Sequence, residues 1–200
     1  YHDRQSRRLN VVESADGEQI ALSLLPFFDL SLTFRRFGQV VLPRILDQLI
    51  DDETVALSNL SQLNYKQTLP TTFDFDFHES EDEWPPHSDW RTFEGWGPEG
   101  MIVSVVFVDE CTETNGALSV WPGTHTERFD HVVEDSGPEV APEAVKRLDD
   151  REKLTFTGEA GSVLLFDSRL IHSSSPNRSD GPRRLLTYRH APATNVEAGI

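Results

Sequence analysis

The chain has 200 residues, 37% of them hydrophobic and 10% aromatic, and carries a formal net charge of −16. That length suits one domain with a real core, so residues 1–200 are expected to form a single unit. The negative charge disfavours nucleic acid and anionic membranes as partners, and no apolar run is long enough to span a bilayer.

A lone cysteine, Cys111, excludes an intrachain disulfide. It suits a reducing compartment, and no stretch near the start has the basic, apolar, small-residue order of a signal peptide. A cytoplasmic location is the resulting expectation. The chain opens on Tyr1 rather than Met, as expected where a native start or a tag is missing.

Residues 1–20 are polar and mixed, with no clear period. Leu25, Pro26, Phe27 and Phe28, and then residues 34–37, bracket a short helical or irregular stretch. Residues 42–50 read as a helix: Leu42, Ile45, Leu46, Leu49 and Ile50 follow helical spacing, and Pro43 sits in the first turn. Residues 55–66 alternate loosely, as one or two strands. Phe73, Phe75 and Phe77 alternate with Asp74, Asp76 and His78, the pattern of a strand with one apolar face.

Residues 101–108 form a near-continuous apolar, β-branched run, best read as a buried central strand. Thr114-Asn115-Gly116 signals a turn, residues 117–121 a short strand, and Pro122-Gly123 a second break. Residues 142–150 look like a surface helix in an acidic excursion. Residues 154–156, 163–166 and 185–190 read as strands. Short strands with Gly/Pro turns, and helices toward the amino end, predict a mainly β fold. The specific expectation is a double-stranded β-helix (jelly roll) with flanking N-terminal helices.

His87-Ser88-Asp89 is the most telling motif. Side chains at i and i+2 of a strand or its end reach one face, so both can approach one metal. With His172, 85 residues later, they make two imidazoles and one carboxylate. That set caps one face of an octahedral Fe(II) ion and leaves the other positions open for an organic co-substrate and O2. His-x-Asp alone is a common chance match.

The surroundings are more specific. His87-Ser88-Asp89-Trp90, then 101–109, then the run from Asn115 through Trp121-Pro122-Gly123-Thr124-His125 resemble the phytanoyl-CoA dioxygenase family, including its ectoine hydroxylase-like motifs. Gly161 to Phe166, His172-Ser173-Ser174, Asn177 and Arg183 continue the likeness, which covers roughly residues 60–190. The resemblance implies a jelly-roll fold, Fe(II), and 2-oxoglutarate and O2 as co-substrates. By position it implies His87, Asp89 and His172 as iron ligands. Arg183, eleven residues past His172, falls where the family places its 2-oxoglutarate-binding arginine. A planar guanidinium suits that role because it pairs with a carboxylate in bidentate fashion.

Ser174 shares the strand face of His172 and is a further co-substrate candidate. Asn64 and Lys66, on the strand before the metal motif, are two more, although the interval from Lys66 to His87 is longer than the family pattern. Arg184 rivals Arg183, because a one-residue register slip exchanges them. Among the other histidines, His125 reads as structural, supporting its loop, His131 is an alternative, and His78 and His190 read as non-ligands. Asn115-Gly116 reads as turn geometry alone. Trp84, Trp90, Phe93 and Trp96 either line a substrate mouth or close the core.

The implied activity is hydroxylation of an unactivated C–H bond in a small organic substrate, with succinate and CO2 as co-products. With a carboxylate at position 89, no ligand position is vacated for a halide. The acidic chain disfavours a bulky polyanion and favours an amino-acid-like or natural-product substrate. Two alternatives stand beside this reading: a cupin-type metal enzyme without 2-oxoglutarate, and a jelly roll that only binds.

Overall fold

A computed structural model describes residues 8–13, 17, 19–49, 55–67, 83–89, 101–134 and 137–193. Its strands are β1 (Arg8–Glu13), β2 (Gln19–Leu25), β3 (Val55–Leu57), β4 (Gln62–Lys66), β5 (Trp84–His87), β6 (Ile102–Phe107) and β7 (Leu118–Val120). There follow β8 (His131–Glu134), β9 (Gly137–Val140), β10 (Leu154–Phe156), β11 (Val163–Asp167), β12 (His172–Ser174) and β13 (Arg183–Pro192).

Among the described residues, seven strands make one antiparallel sheet, in the order β1-β2-β4-β13-β6-β11, with β3 also on β13. Four make a second, in the order β10-β7-β12-β5, and β8 and β9 form a hairpin. Val103, Val105 and Phe107 of β6 pack with Leu118 and Val120 of β7, Phe166 and Leu185, so the main core lies between the two sheets. This is the expected jelly roll. The outer face of the large sheet is covered too: Leu186 and Tyr188 pack with Phe27, Phe28 and Leu42, and Val106 joins them. Burial on both faces explains why the β6 sequence is apolar without alternation.

The helical cover is longer than the spacing of 42–50 predicts. It runs as α1 (Leu32–Arg36), a π turn (Phe37–Val41) and α2 (Leu42–Leu46), and among the described residues the helix ends at Leu46. Pro43 has no N–H to give the preceding turn, and the chain widens there: the Leu42 N–H bonds the Phe37 carbonyl, five residues back. Gly38 lies so close to the Tyr188 ring that a Cβ would sit 2.7 Å from it. The Tyr188 hydroxyl donates to the Phe34 carbonyl at 3.0 Å.

Two readings of the sequence need correction. The stretch read as patternless contains β1 and the first two residues of β2, and the two strands pair as a hairpin. Pairing there runs through the backbone at the sheet edge, and Leu9 and Val11 remain exposed, so no side-chain period marks it. The helix expected over 142–150 is short, α3 (Pro142–Val145), followed by turns. It is not purely superficial: Ala144 and Leu148 pack on Trp121, Phe129 and Ile171. The strand expected at Phe73, Phe75 and Phe77, with His78, lies outside the described residues, as do Trp90, Phe93 and Trp96. No helix among the described residues is long and apolar enough to cross a membrane.

Candidate metal centre

The smaller sheet places the two histidines. β12 pairs antiparallel with β5, and His172 lies directly opposite His87. Their ring centroids are 4.2 Å apart. Asp89 lies just beyond the end of β5 and turns back toward them. One ligand atom from each of His87, Asp89 and His172 falls within 4.8 Å of the others.

Both imidazoles are oriented from behind. Nδ1 of His87 lies 2.7 Å from the Pro85 carbonyl, and Nδ1 of His172 lies 2.9 Å from the Leu170 carbonyl. A carbonyl only accepts, so each Nδ1 carries the hydrogen and each Nε2 keeps its lone pair. That is the tautomer a metal-binding histidine needs. Burial lowers the His87 pKa to about 4, with the His172 charge adding to the effect. Burial also lowers that of His172. Neutral rings are therefore favoured across the neutral range.

Asp89 is buried, and burial alone would raise its pKa. The charge of Arg189, then those of His172 and His87, override this and hold Asp89 at about 2. Arg189 Nη2 donates to Asp89 Oδ1 at 2.9 Å, and neither side chain is more than 8% exposed. Two neutral imidazoles and one ionised carboxylate match the donor set of a non-haem ferrous site.

The residues expected to hold a co-substrate lie on the inward faces of β13, β4 and β12. Arg183 begins β13, is buried, and pairs in register with Lys66 of β4. Arg184, its rival, points outward and clasps Asp109. The register is thus the one that puts Arg183 inside. Lys66 is buried, and its ammonium donates to the carbonyls of Ser174 and Ser175. Arg183, Lys66 and Ser174 are therefore brought into one neighbourhood. Asn64 shares the inner face of β4 and donates to Thr187 Oγ1 at 2.8 Å. Cys111 is buried nearby: burial raises its thiol pKa, and the charges of Arg183 and Lys66 oppose the rise.

Other sequence readings resolve locally. Asn115 does more than shape a turn: its side chain accepts from the Thr112 N–H and donates to the Glu110 carbonyl. In the Pro-Gly-Thr-His turn the structural work falls to Thr124, not His125. Thr124 Oγ1 donates to the Trp121 carbonyl at 2.7 Å and accepts from the Ile171 N–H at 3.0 Å, bracing the entry to β12. His190 donates or accepts nothing at the metal cluster; its Nε2 donates to the Gly38 carbonyl on the helical side. Trp84 is half-buried, its ring 5.9 Å from that of His87.

Two contacts escaped sequence reasoning. Arg189 shares the strand parity of Arg183, and nothing else in the sequence singles it out. His131 reaches the metal motif from the β8–β9 hairpin. Its Nδ1 donates to the Phe129 carbonyl, so its Nε2 accepts the Ser88 hydroxyl at 3.1 Å. No local pattern reveals either pairing, because each joins residues far apart in sequence.

Fold and cluster together define a jelly-roll protein in which two histidines and an aspartate could hold a metal ion. The family model for phytanoyl-CoA dioxygenase matches residues 34–185, and the chain belongs to that family. It is 32% identical over 114 residues to a probable alpha-ketoglutarate-dependent hypophosphite dioxygenase of Stutzerimonas stutzeri, covering 54% of this chain and 39% of that protein. It is 28% identical over 143 residues to an L-proline trans-4-hydroxylase of Streptomyces griseoviridis, covering 58% of this chain and 50% of that protein. The fold matches EctD of S. alaskensis with bound Fe at a TM-score of 0.69 and 22% identity, over 96% of this chain and 63% of that one. The chain thus spans half or less of the length of those two sequence relatives.

Proposed function

We propose that this chain is an Fe(II)- and 2-oxoglutarate-dependent dioxygenase that hydroxylates an unactivated C–H bond of a small organic substrate. The observation that carries the reading is the convergence of His87, Asp89 and His172 within 4.8 Å, in a fold whose inward face also buries Arg183. Family membership and the dioxygenase and hydroxylase names of its relatives support it.

Bound Fe(II) would couple O2 reduction to oxidative decarboxylation of 2-oxoglutarate, giving succinate, CO2 and a hydroxylated product. The protein's part is positional. His87 and His172 offer Nε2 lone pairs in a fixed orientation, and Asp89 supplies the single negative charge. Arg183 offers a buried guanidinium to the distal carboxylate of 2-oxoglutarate, with the Ser174 hydroxyl on β12 of the other sheet. Lys66 adds positive charge to this end of the cavity while its ammonium ties β4 to the end of β12. Asn64, bonded to Thr187, completes the polar inner face.

The relatives named for hypophosphite and proline support a small substrate, here taken as amino-acid-like or a natural-product intermediate. The charge of −16 supports a protein that avoids nucleic acid and anionic membranes. A single buried cysteine supports a cytoplasmic setting.

The test is turnover of 2-oxoglutarate to succinate under air with added Fe(II), beside anaerobic addition of Fe(II) and 2-oxoglutarate. Succinate formation and a visible charge-transfer band are expected. Metal uptake with neither band nor succinate would show an enzyme that does not use 2-oxoglutarate. No metal uptake would leave a binding protein.

A further inference from the structure

We propose that Arg189 is the positioning residue of the metal centre, holding one oxygen of Asp89 so that the other is presented toward His87 and His172. The inference rests on the reading of those three residues as ligands, and it concerns how the aspartate is oriented.

The two histidines and the aspartate are held in different ways. Each histidine sits in a strand, and its Nδ1 is tied to a carbonyl two residues earlier. Asp89 lies outside β5, so neither the pleat nor a ladder bond sets the direction of its carboxylate. Its Oδ1 instead accepts from Arg189 Nη2 at 2.9 Å.

Arg189 is itself fixed at both ends. Nη1 donates to the Leu60 carbonyl at 2.6 Å, so the guanidinium bridges Leu60 and Asp89. Its backbone N–H donates to Ser61 Oγ at 3.1 Å, and its carbonyl accepts from the Ser58 N–H at 2.9 Å. Ser61 Oγ in turn donates to the Ser58 carbonyl at 2.8 Å. The loop over residues 58–61 therefore acts as a template that clamps the arginine, and the arginine clamps the carboxylate. A planar fork can satisfy a carbonyl and a carboxylate at once, which a lysine ammonium on a flexible stem does less rigidly. With both terminal nitrogens engaged and the side chain nearly fully buried, Arg189 is built for orientation rather than for grasping substrate.

The test uses the whole chain and Co(II) alone as a probe, titrated into the wild type, Arg189→Met and Arg189→Lys, with visible d–d spectra and circular dichroism. For Arg189→Met the Co(II) dissociation constant is expected to rise about 10- to 100-fold, the usual cost of losing a partner behind a metal ligand. The d–d bands are expected to shift as the carboxylate changes its mode of binding. Arg189→Lys keeps the charge and should fold even if Arg189→Met does not. It is expected to show the band shift with a smaller loss of affinity. Wild-type affinity and spectrum in the folded variants would overturn the proposal. Wild type that binds Co(II) but makes no succinate would sink the dioxygenase reading and leave Arg189's role standing. Wild type that binds no Co(II) would sink both.

Discussion

Arg183 and Arg184 are consecutive residues of β13 that end in opposite surroundings. Arg183 is 2% exposed and faces inward beside Lys66, whereas Arg184 lies on the surface and holds Asp109 through Nε, Nη2 and its own backbone N–H. The pleat separates two identical side chains into a candidate anion clamp and a surface ion pair.

That separation predicts unequal consequences. Arg183→Gln is expected to raise the Michaelis constant for 2-oxoglutarate by about 30-fold or more, because a buried charge-assisted pair with the distal carboxylate is lost. Arg184→Gln should leave that constant unchanged and alter stability by no more than about 1 kcal/mol, as exposed ion pairs do. Steady-state kinetics in 2-oxoglutarate decide it, and the opposite pattern would move the co-substrate site to the other face.

Removing Asp89 removes the one anionic donor of the cluster. Asp89→Ala is expected to lower substrate-coupled succinate formation at least about 100-fold, beyond the usual loss for an outer partner. Near-normal product formation by this variant, followed by mass spectrometry, would overturn the assignment of the ligand set.

Acid should weaken the metal-free protein well before its carboxylates titrate. An unfolded His87 takes up a proton near 6.5, but the folded site resists protonation until about pH 4. Between those values the unfolded chain binds more protons, so stability falls as pH falls. The loss from His87 is about 3 kcal/mol as an upper bound, because the residue as a whole is only half-buried. His172, also lowered by burial, adds in the same direction. Urea unfolding at several pH values from 7 to 4 measures this slope, and His87→Gln should flatten it. A slope unchanged by that substitution would show that the histidine is not desolvated.

Gly116 is expected to resist substitution. Its φ is +90°, a conformation side chains disfavour, and an added Cβ would meet the Ser175 carbonyl at 2.6 Å and the Lys66 Cδ at 2.8 Å. Gly116→Ala is expected to cost about 2 kcal/mol or more. It should also disturb the Lys66 contact with the end of β12. A urea midpoint equal to wild type would show that the turn relaxes freely.

Much of the strand layout was legible because it is written locally. The apolar run of β6, the alternation in β13 and the Asn-Gly and Pro-Gly breaks each depend on neighbours a few residues away. The β1–β2 hairpin was not, since edge pairing uses backbone groups common to all residues. The π turn at 37–41 was not, because only contact with Tyr188 and Leu57 shows why Gly38 is needed there. Thr124 was overshadowed by His125, whose chemistry draws more attention than a hydroxyl that bonds two backbone groups.

The sequence by itself determined which side chains were chemically suited to a ferrous centre and that the consecutive arginines of β13 would take opposite faces. Those are properties of residue type and of a two-residue pleat. Only the tertiary structure decided that His172 stands opposite His87, that Arg183 rather than Arg184 is the inward one, and that Arg189 closes on Asp89 from a hundred residues away. Those outcomes depend on how sheets pair and stack across long stretches of chain, where a shift of one residue reverses every side chain and no short-range pattern records the choice.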